Sequence, residues 1–372
     1  MKRVFLVSDS FKGSLSATDI NKNLTKGLLQ GNPLLDIISA PLCDGGEGTL
    51  DTLTDALSGR KISFEVHDPL GRNIKAQAGI VDDETAIVEM AQASGIERLS
   101  VEELNPMQTS TYGTGELIDK LIGLGYKKII LTLGGSATVD GGTGIVQALG
   151  GKFYHSDGAL LPPNSSPLFE YHRCDLSGFL KRTEGVAFTV VVDVQNPLLG
   201  EHGAAAVFGP QKGVRQHQMQ DFDHQLLRWA QLLEKHSGKK LTSVKGSGAA
   251  GGALLPFLMH PDTKVVSGFS MVSELLNYEQ NIKKCDVLIT GEGSVDDQSF
   301  MGKGVGKLID MAHQYHKDVI LVVGQNQLTD GKNKSKVNKV CAIADMANSL
   351  SDAMENTPEY LTQIGFKIGR EL

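Results

Sequence analysis

A chain of 372 residues with 40% apolar and 21% charged side chains has the mixture of a soluble globular protein, and it is too long for one ordinary core, so two domains are expected. A net charge of −7 excludes a basic stripe for nucleic acid, and no apolar run reaches the ~18 residues that a membrane span needs. Cys43, Cys174, Cys285 and Cys341 are scattered without CxxC spacing, which excludes a zinc or disulfide framework and points to reduced thiols in the cytoplasm.

Residues 2–7 form a dense apolar run. It opens basic-then-apolar as a signal peptide does, but it stops at Ser8-Asp9 with no small-residue cleavage site, so a first strand is expected. Residues 17–29 carry apolar side chains at near-helical spacing, 34–40 read as a second strand and 50–57 as a helix. Next, 62–65, 74–80 and 85–89 are short alternating stretches with turn residues between them, the pattern of antiparallel strands. Residues 128–133 and 187–192 are stronger strands, whereas 155–166 read as loop. The end of the chain returns to the opening grammar, with strands at 286–290, 319–323 and 340–343 and a helix at 305–313. The expected architecture is two α/β domains. A doubly wound parallel-sheet domain is assembled from residues 1–60 and 285–372, and a second α/β domain is inserted at 61–284.

The 43 glycines gather into clusters between apolar runs, which suits tight turns and close backbone approach to a ligand. Five loops combine such glycines with polar side chains directly after a strand, where open α/β sheets bind their ligands. In the first, Lys12 stands among Ser10, Gly13 and Ser14 before a helix, an arrangement that holds phosphate by charge, N–H groups and helix dipole. The plainer reading makes Ser14 or Ser16 a helix cap. The second, Asp44-Gly45-Gly46-Glu47-Gly48, offers carboxylates for a metal or a substrate hydroxyl, although Asp44 also suits a turn. The third runs from Gly134 and Gly135 through Ser136 to Gly144, with five glycines in eleven positions able to wrap phosphate oxygens.

The fourth begins at Asp193, which ends a very apolar strand where a carboxylate is costly unless paired or used. Such a group can accept the proton of an attacking hydroxyl. Beyond it, Lys212 is a candidate anchor for phosphate or carboxylate, or a solvated surface lysine. In the fifth, Glu292 stands between Gly291 and Gly293 with Asp296 and Asp297 beyond, a set suited to Mg²⁺ and nucleotide phosphates. The stretch 246–251 fits G-x-G-x-x-G, but it follows a poor strand and lacks the acid about twenty positions on, so a ligand-contacting or packing loop is expected. No P-loop, protein-kinase set, H-E-x-x-H or G-x-S-x-G occurs. The residues by themselves lead to a phosphate-handling α/β enzyme and leave its acceptor open.

Taken in order, eight stretches resemble the glycerate kinase type 1 family. They are 9–17, 44–49, 134–142, Asp193, 196–200, 208–213, 246–252 and 290–293. The resemblance implies ATP-dependent phosphorylation of D-glycerate with Mg²⁺, usually at the 2-hydroxyl, giving 2-phosphoglycerate. It implies one flavodoxin-like and one restriction-enzyme-like domain with the active site in the cleft between them. Ser8 stands where the family usually has proline, and Ser294 where it usually has arginine, which removes one possible phosphate contact. On this reading Asp193 is the general base, with Asp44 as runner-up. Lys12, Ser10 and Ser14 stabilise the transferring group. Gly134, Gly135, Ser136, Gly291, Gly293 and Lys212 hold the nucleotide, and Glu292 and Asp296 hold Mg²⁺. The expected partners are small molecules, with no nucleic acid or membrane, and the chain is a monomer or homodimer. A kinase of another small hydroxy acid, or a non-catalytic nucleotide-binding protein, is the alternative.

Overall fold

The structure is a computed structural model that describes residues 1–11, 13–43, 48–164, 166–300, 304–329 and 331–372. In chain order it runs β1 (Arg3–Ser8), α1 (Ala17–Gly31), β2 (Asp36–Pro41), α2 (Thr49–Ala56), β3 (Arg60–His67), β4 (Asn73–Ile80) and β5 (Thr85–Glu89). Then come α3 (Tyr112–Gly123), β6 (Lys128–Thr132), α4 (Thr143–Ala148), β7 (Ala187–Val191), α5 (Met219–Ser237) and β8 (Lys264–Val266). The chain closes with α6 (Gly268–Leu275), α7 (Tyr278–Lys284), β9 (Val287–Gly291), α8 (Gly304–Gln314), β10 (Asp318–Val323), β11 (Lys339–Ala342) and α9 (Thr357–Glu371). It divides into two compact units, Met1–Asp44 with Phe269–Leu372, and Gly45–Gly268.

The first unit is a five-stranded parallel sheet in the order β11-β10-β9-β1-β2. Val4 lies opposite Ile37 on one side and Val287 on the other. Period-2 alternation sends Val4 and Leu6 into a core with Ile20 and Leu24 of α1 and Leu361 and Ile364 of α9. Phe5 points to the other face and meets the Tyr278 ring at 5.8 Å. Helix α1 starts where Ser16 accepts the Asp19 N–H at 3.1 Å, so the capping reading holds for Ser16. The strand order reverses between β1 and β9: the chain moves from β1 outward to β2, and from β9 outward in the opposite direction. That reversal opens a crevice at the carboxyl ends of these two strands.

The second unit holds a six-stranded sheet in the order β8-β7-β6-β5-β4-β3. β5 departs from the antiparallel expectation. It pairs antiparallel with β4 but parallel with β6, and all five of its residues are buried. Burial on both faces explains why its alternation is a poor guide to its partner. Helices α3, α5 and α9 lie where no element is expected from the sequence; each is an amphipathic helix whose buried stripe docks on its own unit's core.

The units also part at other positions than 61 and 284. Helix α2 belongs with the inserted unit because its first turn bonds to Glu89 of β5, Leu50 N–H at 2.9 Å. Helix α7 belongs with the first unit because the Tyr278 hydroxyl donates to the Pro41 carbonyl at the end of β2. Tertiary contacts of this kind override the composition shifts from which boundaries are read.

Candidate active site

In the first unit the crevice is walled by the loops after β1 and β9. The Asp9 N–H reaches the Gly291 carbonyl at 2.9 Å, so the two loops leave the sheet together. Asp9 Oδ1 accepts the Ser10 N–H at 2.7 Å; Lys12 and Asp44 lie outside the described residues. The buried hydroxyls of Ser8 and Thr290, at the ends of the two strands, make no hydrogen bond among the described residues. Gly291 is required by packing, since a Cβ there would lie 1.6 Å from the Val322 carbonyl oxygen. The next residues are laced to the loop after β10, with Gln325 N–H on the Gly293 carbonyl at 3.0 Å. Glu292 is half-buried in this frame. Asp296 Oδ1 accepts the Ser299 N–H at 2.9 Å, and Asp297 accepts from Thr329 and Asn333. Ser14 differs from its expected setting: its hydroxyl bonds Thr357 Oγ1 at 2.7 Å and the Met354 carbonyl at 3.1 Å, docking the loop on α9.

In the second unit the carboxyl ends of β5, β6 and β7 carry Glu89, the Gly134 loop and Asp193. Glu89 is buried and accepts the N–H groups of Leu50 and Gly48 at the start of α2, where negative charge suits the helix dipole. Asp193 is exposed, and its Oδ1 accepts the Gly268 N–H at 2.9 Å. A cavity of about 300 Å³ opens beside the ends of β5 and β6, lined by Glu89, Gln92, Ile96, Arg98 and Gly135. A larger one, about 460 Å³, lies at the amino end of β7 around Val186 and His260. It has none of the glycine-rich loops, and strand amino ends are not where such sheets bind ligands.

The Gly134–Gly144 loop divides into two halves. In the second half Asp140 is fully buried and takes the donors that a phosphate would need: Gly142 N–H at 3.0 Å and Gly144 N–H at 3.2 Å, besides the Thr111 N–H at 2.9 Å and hydroxyl at 2.7 Å. Burial pushes the Asp140 carboxyl up, and these four donors pull it back. The expectation of a phosphate nest therefore contracts to residues 134–136. Lys212 also departs from its expected setting. It is 2% exposed, and its Nζ donates to Ser136 Oγ at 2.7 Å and to the Thr138 carbonyl at 2.9 Å.

The loop at 246–252 packs against this one. A Cβ on Gly251 would lie 2.3 Å from the Thr138 carbonyl oxygen, and the Gly251 carbonyl accepts the Gly141 N–H at 2.9 Å. Burial pushes the Cys174 thiol up to about 12 and the Cys285 thiol up to about 11, so neither is poised as a nucleophile. What remains is a set of acids and glycine-rich backbone at the carboxyl ends of parallel strands, the equipment of phosphoryl transfer.

The sequence profile of the glycerate kinase family matches residues 4–372. The chain belongs to the glycerate kinase family. A glycerate 2-kinase of Escherichia coli K12 is 39% identical over 332 residues, 88% of this chain and 86% of the relative. A glycerate kinase of Halalkalibacterium halodurans is 36% identical over 365 residues, 98% of this chain and 96% of the relative. A crystal structure assigned to a glycerate kinase 2 of Salmonella typhimurium LT2 superposes with a TM-score of 0.87 at 33% identity, covering 100% of this chain and 98% of that one.

Within this glycerate kinase family member, two acids outside the expected site set are Glu89 and Asp140. Glu89 ends an apolar strand just as Asp193 does, and that signal was open to sequence reading. Asp140 carried none, because its donors come from Thr111, 29 positions away, as well as from its own loop.

Proposed function

We propose that this chain transfers the γ-phosphoryl group of ATP to the 2-hydroxyl of glycerate, giving 2-phosphoglycerate and ADP. The observation that carries this reading is the family match over residues 4–372, with a relative named for the 2-position. The bond from the glycerate oxygen to the γ-phosphorus forms, the bond from that phosphorus to the β-bridging oxygen breaks, and the hydroxyl proton passes to a base. Asp193 is our candidate for that base, and Asp44 the second. Lys12 and Ser10 meet the transferring group, and the backbone of Gly134, Gly135 and Ser136 receives phosphate oxygens, with Gly291 and Gly293 flanking Glu292.

Mg²⁺ is expected with the nucleotide. No group of three or more His, Cys, Asp or Glu suited to a metal occurs among the described residues. Mg²⁺ usually takes one or two carboxylates, with phosphate oxygens and waters completing its shell, so Glu292 and Asp296 suffice as donors. When bound, it would neutralise charge on the phosphates. No helix among the described residues is long and apolar enough to cross a membrane.

The test is a ³¹P spectrum of the product from ATP and D-glycerate. A 2-phosphoglycerate resonance supports the reading, a 3-phosphoglycerate resonance removes the regiochemistry, and turnover of lactate or tartronate instead removes the acceptor. Asp193→Asn is expected to lower kcat by about 10²–10⁴-fold with folding unchanged by circular dichroism. Near-normal turnover in that variant would transfer the base role to another group.

A further inference from the structure

Lys212 has no part in the transfer scheme, yet its setting is expensive. It closes the short turn Pro210–Lys212 and is buried inside the inserted unit. The turn is rigid: Val214 N–H bonds the Gly209 carbonyl at 3.0 Å, and Gly213 sits at φ +98°, where a Cβ would lie 2.2 Å from the Leu104 carbonyl oxygen. From this fixed base the ammonium reaches two acceptors in one loop, Ser136 Oγ at 2.7 Å and the Thr138 carbonyl at 2.9 Å. Asp140 grips the same loop further along through Gly142 and Gly144. Burial opposes the lysine's charge, and Asp140 is the acid that supports it.

A loop with five glycines in residues 134–144 has wide backbone freedom unless something holds it. An apolar side chain would fill the Lys212 site at lower electrostatic cost, because burying a charge is unfavourable even when paired. Lysine does what an apolar residue does not: it ties the loop by two directed bonds, to Ser136 and to Thr138.

We infer that Lys212 is a positioning residue, which sets the Gly134–Ser136 backbone for phosphate oxygens through Ser136 and Thr138 and does not itself touch substrate. The rate readout of this inference rests on the kinase reading; its exchange readout does not. Lys212→Met, Ser136→Ala and the double variant would be compared with the wild type for glycerate phosphorylation and for amide hydrogen exchange. Each single variant is expected to lose on the order of 10- to 100-fold in kcat/KM, the effect of a small misplacement of catalytic backbone. The double variant is expected to be no worse than Lys212→Met alone, since that variant already removes the bond to Ser136. Exchange over residues 134–140 should accelerate in Lys212→Met while the rest of the chain exchanges as wild type. Additive losses in the double variant, or wild-type exchange over 134–140, would overturn the inference. If Lys212→Met does not fold, exchange in Ser136→Ala decides on the same criterion. If wild type leaves glycerate unphosphorylated, the kinase reading fails, and loop exchange in Lys212→Met alone judges the positioning role.

Discussion

Lys212 and Asp140 carry opposite charges into the interior of one unit, and their titration leaves a mark on stability. Burial lowers the Lys212 ammonium from its ordinary 10.5 to about 7. Between about pH 7 and 10.5 the lysine is neutral in the folded chain and charged in the unfolded one, so unfolding takes up a proton and stability rises with pH. The slope from this one group approaches ~1.4 kcal/mol per pH unit in that window. Below pH 7 the ammonium is charged in both states and its burial penalty is constant. Urea unfolding of wild type and Lys212→Met at pH 7 and pH 9 should therefore show the stability difference moving in favour of the wild type as pH rises. A difference that does not change with pH would mean that the lysine stays charged in the fold.

Helices α1 and α9 show how an element interface is written in glycine. Gly27 and Gly31 of α1, and Gly365 and Gly369 of α9, are spaced four apart and so line one face of each helix. A Cβ on Gly27 would lie 2.1 Å from the Thr362 carbonyl oxygen, and one on Gly369 would lie 2.3 Å from that of Leu28. The two backbones touch, and Leu24, Leu28, Leu361 and Ile368 close the core beside them. Alanine normally stabilises a helix by about 1 kcal/mol over glycine. Here the overpacking cost of about 1–3 kcal/mol outweighs that gain, so Gly27→Ala and Gly369→Ala are each expected to lower the urea midpoint. An unchanged or raised midpoint would show that the helices can separate at no cost. The N-terminal half of this interface was legible as a periodic apolar run, but α9 was not, because Gly365 and Gly369 interrupt its buried apolar stripe while Phe366 lies on the exposed side.

For the whole molecule the deciding feature is a chain that leaves the first unit at Asp44 and returns to it at Phe269. The inserted unit contains all six strands of its sheet and a core of its own around Phe153, Phe222 and Trp229. A fragment of residues 45–268 is therefore expected to unfold cooperatively in urea, and to show no phosphorylation of glycerate, since the loops after β1 and β9 are missing from it. A fragment without a cooperative transition would show that the insert depends on the rest of the chain. The order of apolar runs and glycine clusters alone determined two α/β units, a parallel sheet shared by the two ends, and acids such as Asp193 and Glu292 at strand ends. Those features follow from local periodicity and from turn chemistry, which short stretches carry. Only the tertiary structure decided that β5 joins β6, that α2 belongs to the insert, and that Asp140 and Lys212 turn inward to hold the Gly134 loop. Each of those depends on partners distant in sequence, and a residue's burial is a property of what surrounds it.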